Sequence, residues 1–199
     1  MTHNHSERVA VRIGLISDTH VRDDLVGMPS EILQAFEKYE VELILHLGDI
    51  ESPRVLDVLE KIAPVFAVRD STELPSTDPR LAHTRRVIQV ADKRIGMVHD
   101  IGWPGPRIIA DKDLKFPIEP FPEVLEQKFG QVVDVVAFGH THEELIAMHQ
   151  GVLFVNPGSP TYPGTRHRLG ALGTIAILDI QVNGQVTAEI VDLAGLSSI

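Results

Sequence analysis

The 199-residue chain contains no cysteine, which removes disulfides, thiolate nucleophiles, zinc knuckles and iron–sulfur clusters together. Redox compartment therefore leaves no mark on it. Nowhere does it carry the roughly 18 consecutive apolar residues needed to span a bilayer, and Met1 to Arg8 lacks the apolar stretch of a signal peptide. A soluble cytoplasmic protein without membrane attachment is expected. Positive charge is also scarce: 18 Lys and Arg stand against 28 Asp and Glu, a formal net charge of -10. Phosphate backbones select clustered Lys and Arg, so stable nucleic-acid binding is not expected. A phosphate substrate would have to be met by metal ions instead. With 43% apolar residues and 5% aromatics, one domain over 1–199 with a substantial core fits the length. No internal repeat, low-complexity tract or linker interrupts it.

What is present is an alternation of short apolar runs and helical patterns. Val9 to Ser17 reads as a buried strand that delivers Asp18 to its carboxyl end. Pro29 to Tyr39 reads as a helix with Ile32, Leu33 and Phe36 on one face. Val41 to Leu47 is a second strand ending in Gly48-Asp49, and Ser52 caps a helix from Pro53 whose buried side is Val55, Leu56, Val58, Leu59 and Ile62. Pro64 to Val68 is a third strand, so a parallel sheet with packed helices is expected. Asp70 to Arg80, with two prolines, is a loop at its end. Arg86 to Val90 and Arg94 to His99 form a hairpin around Ala91-Asp92-Lys93. Gly102 to Pro122 holds five prolines and two glycines, too many for a regular element: a lid, an oligomer contact or a long surface loop. Pro122 to Phe129 is a helix stopped by Gly130, and Val132 to Phe138 a strand. The strands Glu144 to His149, Val152 to Val155, Gly173 to Gln181 and Gln185 to Val191 follow, with Asn183-Gly184 as a two-residue hairpin turn.

Polar residues of one chemical kind cluster at the strand ends: Asp18-Thr19-His20, Gly48-Asp49, His99 and Gly139-His140-Thr141-His142. Asp18 and His20, two apart on a chain leaving a strand, reach one point, and so do His140 and His142. Carboxylate oxygen with imidazole nitrogen suits Mn, Fe, Zn or Ni. Gly48 permits a tight turn that aims Asp49 outward, and its two oxygens suit a bridge between two ions. Each pair alone is more often a turn cap or a solvated histidine than a ligand set. All of them at strand ends together point to a site for a pair of divalent cations.

In these motifs the chain resembles the calcineurin-like metallophosphoesterases, in their small bacterial and archaeal phosphodiesterase branch. The likeness runs from Ile13 to about Ser159 through five segments in family order: Asp18-Thr19-His20, Gly48-Asp49, Val68 to Glu73, His99 and Gly139 to His142. Asn156-Pro157-Gly158-Ser159 is similar to a segment that closes the site in small relatives. The resemblance implies an α/β fold, a four-layer αββα sandwich with two central mixed β-sheets flanked by helices. It implies that Asp18, His20, Asp49 and His142 hold one metal and Asp49, His99 and His140 the other, with Asp49, His99 and His140 forming the catalytic core. Two divalent ions are expected, Mn first, with Fe, Zn or Ni as alternatives. A hydroxide bridging them would attack phosphorus in a small phosphate-ester substrate, most readily a diester, with a monoester as the lesser case. A homodimer is compatible with the likeness.

The third segment departs from the pattern. Small relatives read Gly-Asn-Cys-Asp where this chain reads Asp70-Ser71-Thr72-Glu73. The Asn would give an amide oxygen to the second metal, and the Ser71 hydroxyl is a poorer donor, so weaker binding there is expected. Asp70 is a candidate replacement, and Glu73 a further candidate metal or substrate contact. Thr72 occupies the place of a proton-donating histidine in other branches, which favours esters whose leaving groups need little protonation. Arg166, with His167 and Arg168, is a candidate for a substrate phosphate or a surface loop. His46 reads as a hydrogen-bonded core residue, Asp100 as a turn cap, and Asn156 and Ser159 as turn stabilisers. His3, His5 and His83 read as solvated, and His149 as a strand end. Trp103, the only Trp, either stacks on a base or plugs a core edge. Beside the phosphoesterase stand two other classes, a metal-poor scaffold that binds partner proteins and a sensor that binds a phosphate ligand without turnover. A scaffold would have lost several of the six donors, all of which are present here.

Overall fold

The computed structural model describes residues 8–24, 28–73, 75–110 and 113–198; His3 and His5 lie outside them. In chain order the elements begin with β1 (Val9–Ile16), α1 (Ser30–Lys38), β2 (Leu43–His46), α2 (Arg54–Leu59), β3 (Val65–Ala67), β4 (Arg85–Val90) and β5 (Lys93–Val98). There follow β6 (Ile109–Ala110), β7 (Leu114–Lys115), α3 (Phe121–Phe129) and β8 (Val135–Ala137). The last strands are β9 (Leu145–His149), β10 (Val152–Asn156), β11 (Thr174–Gln181) and β12 (Val186–Asp192), followed by a 3-10 helix (Leu193–Ser198).

Two five-stranded mixed sheets result, ordered β12-β11-β1-β2-β3 and β4-β5-β8-β10-β9. Three neighbouring strands of each are parallel: β1-β2-β3, which runs to the β3 edge of the first, and β5-β8-β10, the middle of the second. Antiparallel strands complete them: β11 and β12 beyond β1 in the first sheet, and β4 and β9 at the two edges of the second. Alternation along each strand sorts side chains into three apolar layers. Ile13, Leu15, Leu43 and Leu45 meet Ile95, Met97, Val135 and Leu153 between the sheets. Ile16 and Ile44 face Ile32 and Phe36 of α1 and Val55 and Leu56 of α2. Val98, Val136 and Phe154 face Phe121, Val124 and Leu125 of α3. Helices, sheet, sheet and helix are thus stacked in the expected αββα order.

Several local readings are refined. Ser52 stands before the helix, and its Oγ accepts the Arg54 N–H at 3.3 Å while its hydroxyl donates to Asp23. Gly184 has φ of 79° and the Gln181 N–H donates to the Gln185 carbonyl, which makes the last hairpin a three-residue loop and not a two-residue one. The proline-rich stretch after Gly102 contains a short antiparallel ribbon, β6 with β7, that no periodicity announces.

Gly14 in the middle of β1 is buried, and a Cβ there would collide with the Phe36 ring of α1. The missing side chain is what lets the helix lie close to the sheet. Gly14→Ala is expected to lower stability by about 1–3 kcal/mol through overpacking, read as a lower urea midpoint at unchanged m. A midpoint equal to that of the native chain would show that α1 shifts away without penalty.

Candidate metal centre

The parallel strands all point their carboxyl ends to one rim of the sandwich, the place where open α/β sheets bind ligands. β1 ends two residues before Asp18, β2 three before Asp49, β3 three before Asp70, β5 immediately before His99 and β8 three before His140. At that rim Asp18, His20, Asp49, His140 and His142 all have positive φ, between 46° and 73°. Non-glycine residues adopt such backbone at a cost of about 1–3 kcal/mol each and keep it only where surroundings impose it. Here the loops impose it on each other: the Asp18 N–H donates to the Gly48 carbonyl and the His20 N–H to the Asp49 carbonyl, both at 3.0 Å. The Gly139 N–H donates to the His99 carbonyl at 2.9 Å. A Cβ on Gly139 would run into Ser17 and Asp18, and one on Gly48 into the His99 ring. Both glycines of the motifs are demanded by close approach.

The result is two donor groups, Asp18, His20, Asp49 and His142, and Asp70, His99 and His140, with the donor atoms of each within 4.8 Å of one another. His142 Nε2 lies 3.3 Å from Asp18 Oδ1, and His99 Nε2 lies 3.3 Å from Asp70 Oδ2. Asp49 Oδ2 stands 3.4 Å from His20 Nε2 and 3.4 Å from His99 Nε2, between the two groups. Ligands of an ion bound at about 2.1 Å are themselves about 3.0–3.4 Å apart, so these spacings suit cations. Asp18 Oδ1 and His99 Nε2 are buried and make no hydrogen bond, an arrangement that a buried carboxylate tolerates when a cation faces it.

Three of the four imidazoles are turned by a partner behind them. His99 Nδ1 donates to the Leu47 carbonyl at 2.8 Å and His142 Nδ1 to the Tyr162 carbonyl at 2.6 Å, which leaves both Nε2 lone pairs facing the centre. His20 Nδ1 lies 3.1 Å from Glu51 Oε1. Electrostatics follow from this crowding. Burial pulls the His99 imidazole down, but Asp49 and Asp18 beside it carry it up to about 9. Burial opposes ionisation of Asp18 and Asp49 as well, yet the neighbouring imidazoles hold both below the ordinary carboxylate range. The carboxylates that favour a proton on His99 favour a cation in its place.

Asp70 joins the second group. Its Oδ1 accepts from the Thr72 N–H and hydroxyl, at 2.5 and 2.6 Å, and its Oδ2 faces His99. Ser71 is exposed in the turn. Glu73 accepts from the Asp70 N–H at 3.2 Å, and burial with Asp49 nearby raises its pKa. Arg166 is engaged by Glu143 and Glu144 at 3.5 and 3.3 Å. Asn156 and Ser159 do more than stabilise a turn: Asn156 Nδ2 donates to the Gly139 carbonyl and to Thr141 Oγ1, both at 3.0 Å, and Ser159 Oγ donates to the Asp18 carbonyl at 2.7 Å. They fasten two donor loops together. Glu51, Thr161 and Tyr162 were not singled out by the sequence; Thr161 Oγ1 donates to the Thr19 carbonyl at 2.7 Å. Glu51 stands two residues past Asp49, and Thr161 and Tyr162 two and three past Ser159, so position beside a motif was the one signal available.

Two mixed sheets packed face to face, with carboxylates and imidazoles collected at the carboxyl ends of their parallel strands, define an αββα sandwich with metal-ligand chemistry at its rim. The chain belongs to the calcineurin-like phosphoesterase superfamily, whose domain matches residues 11–183. It is similar to a probable metallophosphoesterase of Methanothermobacter thermautotrophicus, 34% identical over 153 residues that cover 76% of this chain and 78% of that protein. A phosphodiesterase of Methanocaldococcus jannaschii is 29% identical over 178 residues, 86% of this chain and 94% of that one. Among solved structures, a Thermotoga maritima protein superposes with a TM-score of 0.61 at 29% identity, covering 92% and 99% of the two chains. Vacuolar protein sorting 29 of Cryptosporidium parvum superposes with a TM-score of 0.63 at 17% identity, covering 92% and 98%. At that identity it shows a shared fold alone.

His46 supports the centre from within the core. It is fully buried, its Nε2 lies 3.2 Å from Thr19 Oγ1, and burial pushes the imidazole from 6.5 down to about 3. Between those values the unfolded chain takes a proton that native His46 refuses, so its contribution is complete above about pH 6.5 and lost as pH falls toward 3. His46→Gln is expected to show a shallower loss of urea midpoint over that window than the native chain. Parallel midpoint curves would contradict a buried neutral imidazole.

Proposed function

We propose that residues 1–199 form one catalytic unit, a metal-dependent phosphodiesterase whose two donor groups would hold two divalent cations, with Asp49 available to both. The observation that carries this reading is the convergence of Asp18, His20, Asp49, Asp70, His99, His140 and His142 into two groups at one rim. Asp18, His20, Asp49 and His142 would hold one ion, and Asp49, Asp70, His99 and His140 the other. Bound divalent ions supply Lewis-acid charge to phosphoryl oxygens and lower the pKa of water. The protein's own part is orientation: Leu47, Tyr162 and Glu51 fix the imidazole faces, and Ser159 and Asn156 fix the loops.

A diester is favoured over a monoester by the space around the centre. A cleft of about 410 Å³ lies against His140 and another of about 660 Å³ against His142, and the two meet at Thr141. Two clefts accommodate two ester substituents. The Thr72 hydroxyl is committed to Asp70, so no protonating group stands at that position and an aryl leaving group is the appropriate probe. The name of the Methanocaldococcus jannaschii relative, a phosphodiesterase, points the same way.

The test is hydrolysis of bis(p-nitrophenyl) phosphate by metal-stripped protein with and without added Mn. Turnover is expected only with Mn, and Asp49→Asn should lower kcat by at least about 100-fold. Absence of turnover with every divalent ion would remove the enzymatic reading in favour of a scaffold or a sensor, and saturable phosphate-ligand binding without product would select the sensor. Metal content separates the role of Asp70: Asp70→Ala is expected to lower bound Mn from two towards one per chain by elemental analysis. Two ions retained in that variant would exclude Asp70 from the ligand set.

A further inference from the structure

The loop from Asp100 to Ile108 leads away from His99 and is unusually well fastened. Ile101 and Ile108 are buried in the outer apolar layer with Phe121, Val124 and Leu125. The Gly102 N–H donates to Asp100 Oδ1 at 2.6 Å, and the Trp103 N–H to the Asp100 carbonyl at 3.1 Å. Lys128 of α3, fully buried, donates its Nζ to the Pro104 carbonyl at 2.7 Å. A buried ammonium is costly unless hydrogen-bonded, so this contact ties the loop firmly to the helix.

From this anchored loop the Trp103 side chain is nonetheless left 60% exposed. Arg107, in the same loop, has no carboxylate within ion-pair reach among the described residues, although the chain carries a net charge of -10. Trp103, Arg107 and His140 line one cleft of about 410 Å³, within the range of about 300–1,000 Å³ typical of small-molecule sites. An exposed indole on a fixed backbone is a stacking platform whose ordering cost is largely met before a ligand arrives.

We propose that this cleft is the subsite for a planar aromatic substituent of the substrate, stacked on Trp103, with Arg107 drawing the anionic ester to the centre. The substrate class is then a phosphodiester bearing a nucleobase or a comparable aromatic ring. Proximity to His140 ties this inference to the phosphodiesterase reading above, but stacking on Trp103 is measurable without turnover.

Because Trp103 is the only Trp in the chain, its fluorescence reports on the cleft alone. Adenosine monophosphate is expected to quench it saturably, and ribose phosphate, which lacks the ring, is not. As competitive inhibitors of aryl diester hydrolysis, the two should differ by about tenfold or more in the native chain. That preference should collapse toward one in Trp103→Ala and persist in Trp103→Phe, whereas Arg107→Ala should weaken both probes alike. Equal inhibition by the two probes in the native chain, or an undiminished preference in Trp103→Ala, would overturn the proposal. So would the absence of quenching. Saturable quenching by adenosine monophosphate in a protein that hydrolyses no diester would support the subsite while removing the phosphodiesterase reading.

Discussion

The arrangement of the rim depends on Asp18. Its side chain is completely buried where the two sheets meet, and a buried carboxylate is tolerable only if opposite charge or hydrogen-bond donors surround it. Loops from both halves of the molecule supply them. Asp18 Oδ2 accepts the His140 N–H at 3.0 Å, Oδ1 faces His142 at 3.3 Å, and its main-chain carbonyl accepts from Ser159 and Thr161. A residue just past the first strand of one sheet thereby fixes the turn after β8, the middle parallel strand of the other. Gly139 follows from the same constraint, since any side chain there would displace Asp18.

Charge explains why such a rim calls for cations. Three carboxylates, Asp18, Asp49 and Asp70, converge within a chain that is already acidic, so an anionic phosphate ester meets an unfavourable field unless positive charge is placed between them. Protonated histidines would supply some of that charge, and His99 and His142 are both shifted upward by the carboxylates they face. Divalent ions would supply more of it, beside Asp18 Oδ1 and His99 Nε2, which make no hydrogen bond.

Much of the architecture was legible because parallel strands buried on both faces leave continuous apolar runs, and polar residues directly after them mark the rim. Six donors were readable from Asp18-Thr19-His20, Gly48-Asp49, His99 and Gly139 to His142 for that reason, and all six meet in the structure. What stayed hidden acts through main chain or across long separations. The Leu47 and Tyr162 carbonyls that orient two imidazoles have no residue-type signature at all. Asn156 and Ser159 read as turn formers because their partners, Gly139 and Asp18, are brought near only by the packing of the two sheets. Lys128 is different. Phe121, Val124, Leu125 and Lys128 follow a helical i, i+3, i+4, i+7 spacing, so the lysine sits on the apolar stripe and its burial was available from periodicity.

A shared fold leaves function open, as the likeness to a vacuolar sorting protein at 17% identity illustrates. The strain at the rim bears on that question. Holding five donor-bearing residues at positive φ works against stability at each one, and a chain that needed only the scaffold could relax them by substituting glycine or by straightening the turns. The same five conformations help bring carboxylate and imidazole atoms to spacings of 3.3–3.4 Å, among them the buried Asp18 Oδ1 and His99 Nε2, which make no hydrogen bond. Strain that is kept together with converging donors suits a binding centre, because a bound cation would return the free energy that the backbone geometry and the crowded charges withhold.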